Sequence, residues 1–187
     1  MNNFVSIDEI ARIRFGLYTP PETGGSIPYL QVRQFSDEGW QIAQPDEYIS
    51  LDSKAETHLL QDGEVLFVGK GNRLFSWCYR EGTGPAVASS VFFVLTLDQE
   101  RIFPEFLAAV LNAPQSKAVF QQLGGGTNIF SIRKSELGAF RIPVLPMEQQ
   151  KMIAALFKLH QQEIALNQQM ITQKKNLYTA IISKLIK

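Results

Sequence analysis

Ile142-Pro143-Val144-Leu145-Pro146-Met147-Glu148-Gln149 divides the chain into two unlike parts. Upstream, glycines and prolines recur throughout; residues 147–187 contain neither, and Gln, Lys, Leu, Ile and Ala dominate them. That composition predicts one long helix, about 60 Å at a rise of 1.5 Å per residue. Within it Phe157, Ile164, Ile171, Tyr178 and Leu185 recur every seven residues, the seam of a coiled coil rather than the wider stripe of a globular helix. With these at position a, the d series is Ile153, His160, Asn167, Lys174 and Ile181, so three polar residues sit mid-seam, while Leu156, Met170 and Leu177 widen the apolar surface at g. The seam is longer than one side of a domain this size. Most of it must meet another helix, and the chain supplies no second one of that length; folding back onto its own domain is the alternative.

Upstream of the divide the pattern predicts an α+β fold: a β-rich domain with short helices over residues 1–146, followed by the long helix over 147–187. Ser6-Ile7-Asp8-Glu9 has the spacing of a capping box, which predicts a short helix running to about Ile13 and ended by Gly16. Thr19-Pro20-Pro21-Glu22-Thr23-Gly24-Gly25 reads as an irregular loop. Runs rich in Val, Phe, Tyr and Trp at residues 29–33, 64–68, 74–79 and 91–97 read as strands of a mixed, mostly antiparallel sheet. Pro104 opens a helical pattern with Phe106, Leu107, Val110 and Leu111 on one face, and Pro114 opens another that ends before Gly124.

With 187 residues, 45% of them hydrophobic, the chain can bury one core of ordinary size plus an appendage. No basic-then-apolar leader follows Met1 and no apolar run reaches eighteen residues, so the expectation is a soluble cytoplasmic protein without a membrane span. The single cysteine, Cys78, excludes an internal disulfide and reads as a core residue; His58 and His160 give no zinc ligand set. No cofactor-binding glycine loop, no N-P-P-Y or D-P-P-Y tetrapeptide and no Walker lysine loop is present, since Gly124-Gly125-Gly126 is followed by Thr127-Asn128. No catalytic residue, cofactor or metal is therefore expected. Pro45-Asp46 with Asp52-Ser53-Lys54 imitates the carboxylate and lysine pattern of metal-dependent nucleases, but five residues between the parts are too few for the two adjacent strands that normally converge those groups.

Eighteen basic and eighteen acidic side chains cancel, which weighs against a free-standing nucleic-acid binder. Their distribution is uneven: 4 basic against 11 acidic over residues 1–64, 8 against 5 over 65–146, and 6 against 2 over 147–187. A polyanion should meet the second segment rather than the first. Two stretches there suit it. Gly69-Lys70-Gly71-Asn72-Arg73 combines a permissive backbone with a cation, an amide and a guanidinium, able to approach phosphates and to pair with guanine or adenine edges. Gly124-Gly125-Gly126-Thr127-Asn128, followed by Ser131, Arg133 and Lys134, is the second. The candidate DNA contacts are Lys70, Asn72, Arg73, Thr127, Asn128, Arg133 and Lys134; solvated turns are the alternative reading of both loops.

These features together resemble the specificity subunit of type I restriction-modification enzymes. The early I-x-x-I-A segment, Leu60-Gln61-Asp62-Gly63-Glu64-Val65-Leu66 and the Gly-Lys-Gly loop are similar to its target recognition domain; the glycine segment and the I-P…P-x-E-Q junction, with Leu145 where a proline is usual, are similar to the start of its spacer helix. The resemblance spans nearly the whole chain, but with one recognition domain and one helix where family members commonly carry two of each. It implies a non-catalytic subunit that reads double-stranded DNA at a bipartite site and holds methylation and restriction subunits there. It also implies antiparallel pairing of the helices; because the seam needs burial and the chain lacks a second long helix, a homodimer through Phe157, Ile164, Ile171, Tyr178 and Leu185 is the economical source of the partner. Charge agrees: parallel pairing sets Lys174 against Lys174, whereas an antiparallel pair centred near Asn167 sets His160 opposite Lys174. A coiled-coil adaptor whose β-rich head binds protein or peptide is the competing function, favoured by the neutral charge and the acidic first third.

Overall fold

A computed structural model of the protein describes residues 3–124 and 130–186. In chain order the elements are β1 (Asn3–Ser6), β2 (Ala11–Phe15), β3 (Ile27–Leu30), β4 (Tyr48–Ile49), α1 (Ser53–Glu56), β5 (Val65–Val68), β6 (Ser76–Cys78), β7 (Val87–Ala88) and β8 (Phe92–Leu97). Then come α2 (Pro104–Asn112), α3 (Pro114–Gly124), α4 (Lys134–Ala139), β9 (Arg141–Val144) and α5 (Met147–Leu185). The fold is α+β, with the long C-terminal helix where the absence of glycine and proline puts it.

The central sheet runs β2-β8-β5-β6, every neighbour antiparallel. Its middle strand β5 is fully buried on both faces, and the two-residue period of a strand splits its side chains between two cores. Val65 and Phe67 face a cluster built with Phe93, Leu107, Leu111 and Phe120 under α2 and α3. Leu66 and Val68 face Phe35, Phe75, Phe92 and Val94 on the other side. Each such side chain contributes roughly 1.5–3 kcal/mol by leaving water. A smaller sheet, β4-β3-β7, holds β3 and β7 parallel, and a two-stranded ladder pairs β1 with β9.

The predicted opening helix is corrected by the structure. Ser6 and Glu9 do form the capping box, but around a single 3-10 turn over Ile7–Glu9. Residues 11–15 then extend as β2 against β8, with Ile13 buried between exposed or half-buried Arg12 and Arg14. The alternation Ala-Arg-Ile-Arg-Phe satisfies a strand period, and pairing with a waiting edge outweighs the local helix signal. Gly16 instead lets two backbones touch: a Cβ there would lie 2.1 Å from the Ser89 carbonyl oxygen. The strand expected at residues 29–33 is likewise shorter and earlier, giving way to a 3-10 turn at Val32–Gln34.

The base of α5 lies against α2. Gln150, wholly buried, is its bolt: Oε1 accepts from the Phe103 N–H (2.9 Å), and Nε2 donates to the carbonyls of Arg101 (2.9 Å) and Leu145 (2.7 Å). Ala154, one turn on, is the other buried residue of the helix. Beyond it Phe157 is half-buried and Gln161 Nε2 donates to the Glu38 carbonyl (3.3 Å), while most of the apolar residues further along the helix are exposed. No helix among the described residues is long and apolar enough to cross a membrane.

Candidate nucleic-acid interface

The two cationic stretches, about sixty residues apart in sequence, lie side by side. Ile132 N–H donates to the Gly69 carbonyl (2.8 Å) and Gly71 N–H to the Phe130 carbonyl (3.0 Å), so Lys70 and Ser131 form an antiparallel bridge. Two glycines permit this. A Cβ on Gly69 would sit 2.3 Å from the Phe93 ring, and Gly71 adopts a φ of +102°, which L side chains rarely occupy. Lys70 and Asn72 are exposed. Arg133 and Lys134 are exposed at the start of α4, where the Arg133 N–H donates to Glu136 Oε2 (2.7 Å). Among the described residues, the side chains of Lys70, Arg133 and Lys134 make no ion pair. Thr127 and Asn128 lie outside the described residues.

Arg73 behaves differently from its neighbours. Its Nε donates to Asp37 Oδ1 (2.6 Å), one terminal nitrogen to the Val32 carbonyl (3.0 Å) and the other to the Phe35 carbonyl. The guanidinium also lies over the Phe75 ring, 5.6 Å from its centroid. All three nitrogens thus tie residues 69–73 to residues 32–37, and Arg73 reaches a base edge only by releasing them. Lys117 joins the same junction through the Asp37 carbonyl (2.9 Å), and burial pushes its pKa down.

The nuclease-like residues have structural partners. Asp46 accepts from Arg33 (2.8 Å) and Gln34 (3.1 Å), bonds that hold its carboxyl below the usual range. Asp52 caps α1 by accepting from the Ala55 N–H at 2.6 Å. Cys78 is half-buried rather than fully buried, and desolvation pushes its thiol up to about 12. His160 lies exposed on α5.

The head and the helix together match solved structures across most of the chain. A protein from work on complex assembly and conformational transition of the type I restriction-modification system aligns at a TM-score of 0.62 with 19% identity, over 88% of this chain and 39% of its own. The specificity subunit HsdS of Thermoanaerobacter tengcongensis aligns at 0.60, also with 19% identity, over 88% and 38%. The fold is that of a type I specificity subunit. The M. genitalium type I S subunit gives the same likeness, at a TM-score of 0.61 and 12% identity over 91% of this chain and 42% of that one. The chain therefore spans about two-fifths of the length of the specificity subunits it matches. No protein-family model and no curated protein matches it.

Along α5 the seam predicted from the heptads is open in the single chain. Phe157, near the base, is half-buried, whereas Ile164, Ile171, Tyr178 and Leu185 are exposed, rising from 39% at Ile164 to 76% at Leu185. Apolar surface in a row of this length costs free energy in water.

Two features of the interface were invisible in the sequence. One is the pairing of the two loops, which depends on a contact between distant segments. The other is a cleft of about 500 Å³ between residues 18–21 and 69–73, which brings Tyr18 and Gln31 to the candidate loop. Its one local signal is an aromatic residue close before Pro20-Pro21.

Proposed function

We propose that the chain reads one half of a bipartite DNA sequence for a type I restriction-modification assembly, leaving methyl transfer and cleavage to partner subunits. Residues 1–146 serve as the target recognition domain and residues 147–187 as the spacer and dimerisation helix. The observation that carries the DNA-reading role is the bridge between Lys70 and Ser131, which gathers Lys70, Asn72, Arg133 and Lys134 into one region with uncompensated cations. Thr127 and Asn128, adjoining Phe130 and Ser131 in sequence, are proposed as DNA contacts on their residue types alone. Arg73 serves that face by fixing the loop. Cations of this kind neutralise phosphates, and the zero net charge of the chain leaves partners to supply part of that contact.

The open seam takes a second copy of the same helix, antiparallel, with the recognition domains at opposite ends. Charge supports that orientation: residues 147–166 carry two lysines and two glutamates, whereas residues 167–187 carry four lysines and no acid. Antiparallel pairing keeps the two basic ends apart. Twofold symmetry then makes the target an interrupted palindrome whose gap is set by helix length.

Titrating the full chain with labelled duplex DNA at several salt concentrations tests this. Arg133→Ala and Lys134→Ala should each weaken binding to all sequences alike and lower the salt slope by about 1. Binding unchanged in the double variant removes this surface from the reading. A chain that retains no duplex at low salt leaves the adaptor function in its place.

A further inference from the structure

The cleft between residues 18–21 and 69–73 has two rigid walls. Tyr18 is 82% exposed, yet its root is fixed. Gly16 N–H donates to the Phe92 carbonyl (2.9 Å), Leu17 N–H to the Ala88 carbonyl (2.8 Å), and the Tyr29 hydroxyl to the Leu17 carbonyl (2.7 Å). Pro20 and Pro21 restrict the backbone two residues further on. Opposite, Asn72 is exposed between two pinned neighbours, Gly71 through the Phe130 carbonyl and Arg73 through its triple anchorage. Groups held in place before binding lose little entropy on binding.

The chemistry between these walls is polar, and of the cations lining them only Lys70 makes no ion pair among the described residues. Arg33, which lines the cleft, is neutralised by Asp46 (2.8 Å) and Glu47 (2.6 Å), and those bonds raise its pKa further. Ser89 lines it too, and its hydroxyl is buried without a hydrogen-bond partner among the described residues. A buried hydroxyl left unpaired costs free energy until a ligand supplies its bond. Phosphates favour the uncompensated Lys70, Arg133 and Lys134, whereas the amide, hydroxyls and aromatic face that line the cleft beside Lys70 favour base edges.

We propose that this cleft reads base identity, with Asn72 pairing to the N6 and N7 edge of an adenine and Tyr18 packing against the adjacent base, while Lys70 in its lining and Arg133 and Lys134 outside it only position the duplex. The inference rests on the DNA-reading role and adds Tyr18 and Ser89 to it.

Selection of bound sequences from a randomised duplex pool by the full chain, with each variant checked for an unchanged melting temperature, separates the two ideas. Wild type should enrich one motif. Asn72→Ala and Tyr18→Ala should relax one or two positions of that motif, losing roughly five- to hundredfold discrimination there, while Lys134→Ala lowers recovery evenly and keeps the motif. Ser89→Ala should shift preference at a neighbouring position. Motifs identical to wild type in the Asn72 and Tyr18 variants overturn the cleft and leave DNA reading intact. A wild-type chain that enriches no motif overturns the DNA-reading role itself, and the cleft with it.

Discussion

Replacing Gln150 tests how α5 is held to the head. Gln150→Met keeps the length of the side chain and deletes its polar atoms, leaving the Phe103 N–H and the carbonyls of Arg101 and Leu145 without their partner. A typical buried hydrogen bond contributes about 1 kcal/mol net, and an orphaned buried group costs up to about 3; three groups therefore set the loss near 3 kcal/mol. Gln150→Ala opens a cavity as well and should cost about 1 kcal/mol more. Against a stability of roughly 5–15 kcal/mol for a domain, either change is large. Trp40 and Trp77 both lie in the head, so their fluorescence follows its unfolding in urea while circular dichroism at 222 nm follows α5. A loss under about 1 kcal/mol for Gln150→Met, at unchanged denaturant slope, would falsify the assignment of Gln150 as the bolt.

The anchorage of Arg73 gives a second expectation: Arg73→Ala should destabilise the head by about 1–2 kcal/mol, almost all of it from the bonds to Val32 and Phe35, because the Asp37 carboxylate is well exposed and its ion pair is screened. Arg73→Lys should recover less than half, since an ammonium lacks the fork that spans three acceptors; full recovery in chemical denaturation would reduce the site to a point charge. Ile164→Asp and Ile171→Asp should convert a dimer to a monomer in sedimentation equilibrium at micromolar concentration, and a wild-type monomer there would remove the symmetric pairing. Cys78 should react with Ellman's reagent at pH 8 far more slowly than a free thiol. Its folded pKa of about 12 lies above the ordinary 9.0, so the stability it contributes is present below about pH 9 and is lost as pH rises toward 12. Reaction at the rate of an unfolded control would contradict its partial burial.

How far the sequence could reveal this fold depended on the distance over which each decision is made. The long helix was legible because its causes are local: no breaker over residues 147–187 and a seven-residue apolar period. The turn at Ser6 was legible too, down to the Glu9 partner, but where it stops was not, since β2 is decided by β8 some eighty residues away. Ile142-Pro143-Val144 gave no strand signal, and proline is tolerated in β9 because that ladder has only two strands and therefore two free edges. In the two loops, residue types singled out Lys70, Asn72, Arg133 and Lys134, and all four are exposed. Arg73 looked the same in sequence, and only the carbonyls of Val32 and Phe35, supplied from some forty residues upstream, distinguish it. Tyr18 was passed over because two prolines make its loop look merely irregular.

The ladder between β1 and β9 has a mechanical consequence. Asn3 pairs with Val144 and Ser6 with Arg141, so the first strand of the head and the strand leading into α5 run antiparallel with their outer ends together. Tension applied between the start of the chain and the long helix pulls on that end alone and opens the pairs one after another, as a zip, instead of loading them all at once in shear. Force transmitted along α5 should peel β1 and β9 apart at low load, before it reaches the four-stranded sheet, and the head would yield first at the seam where its two ends are joined.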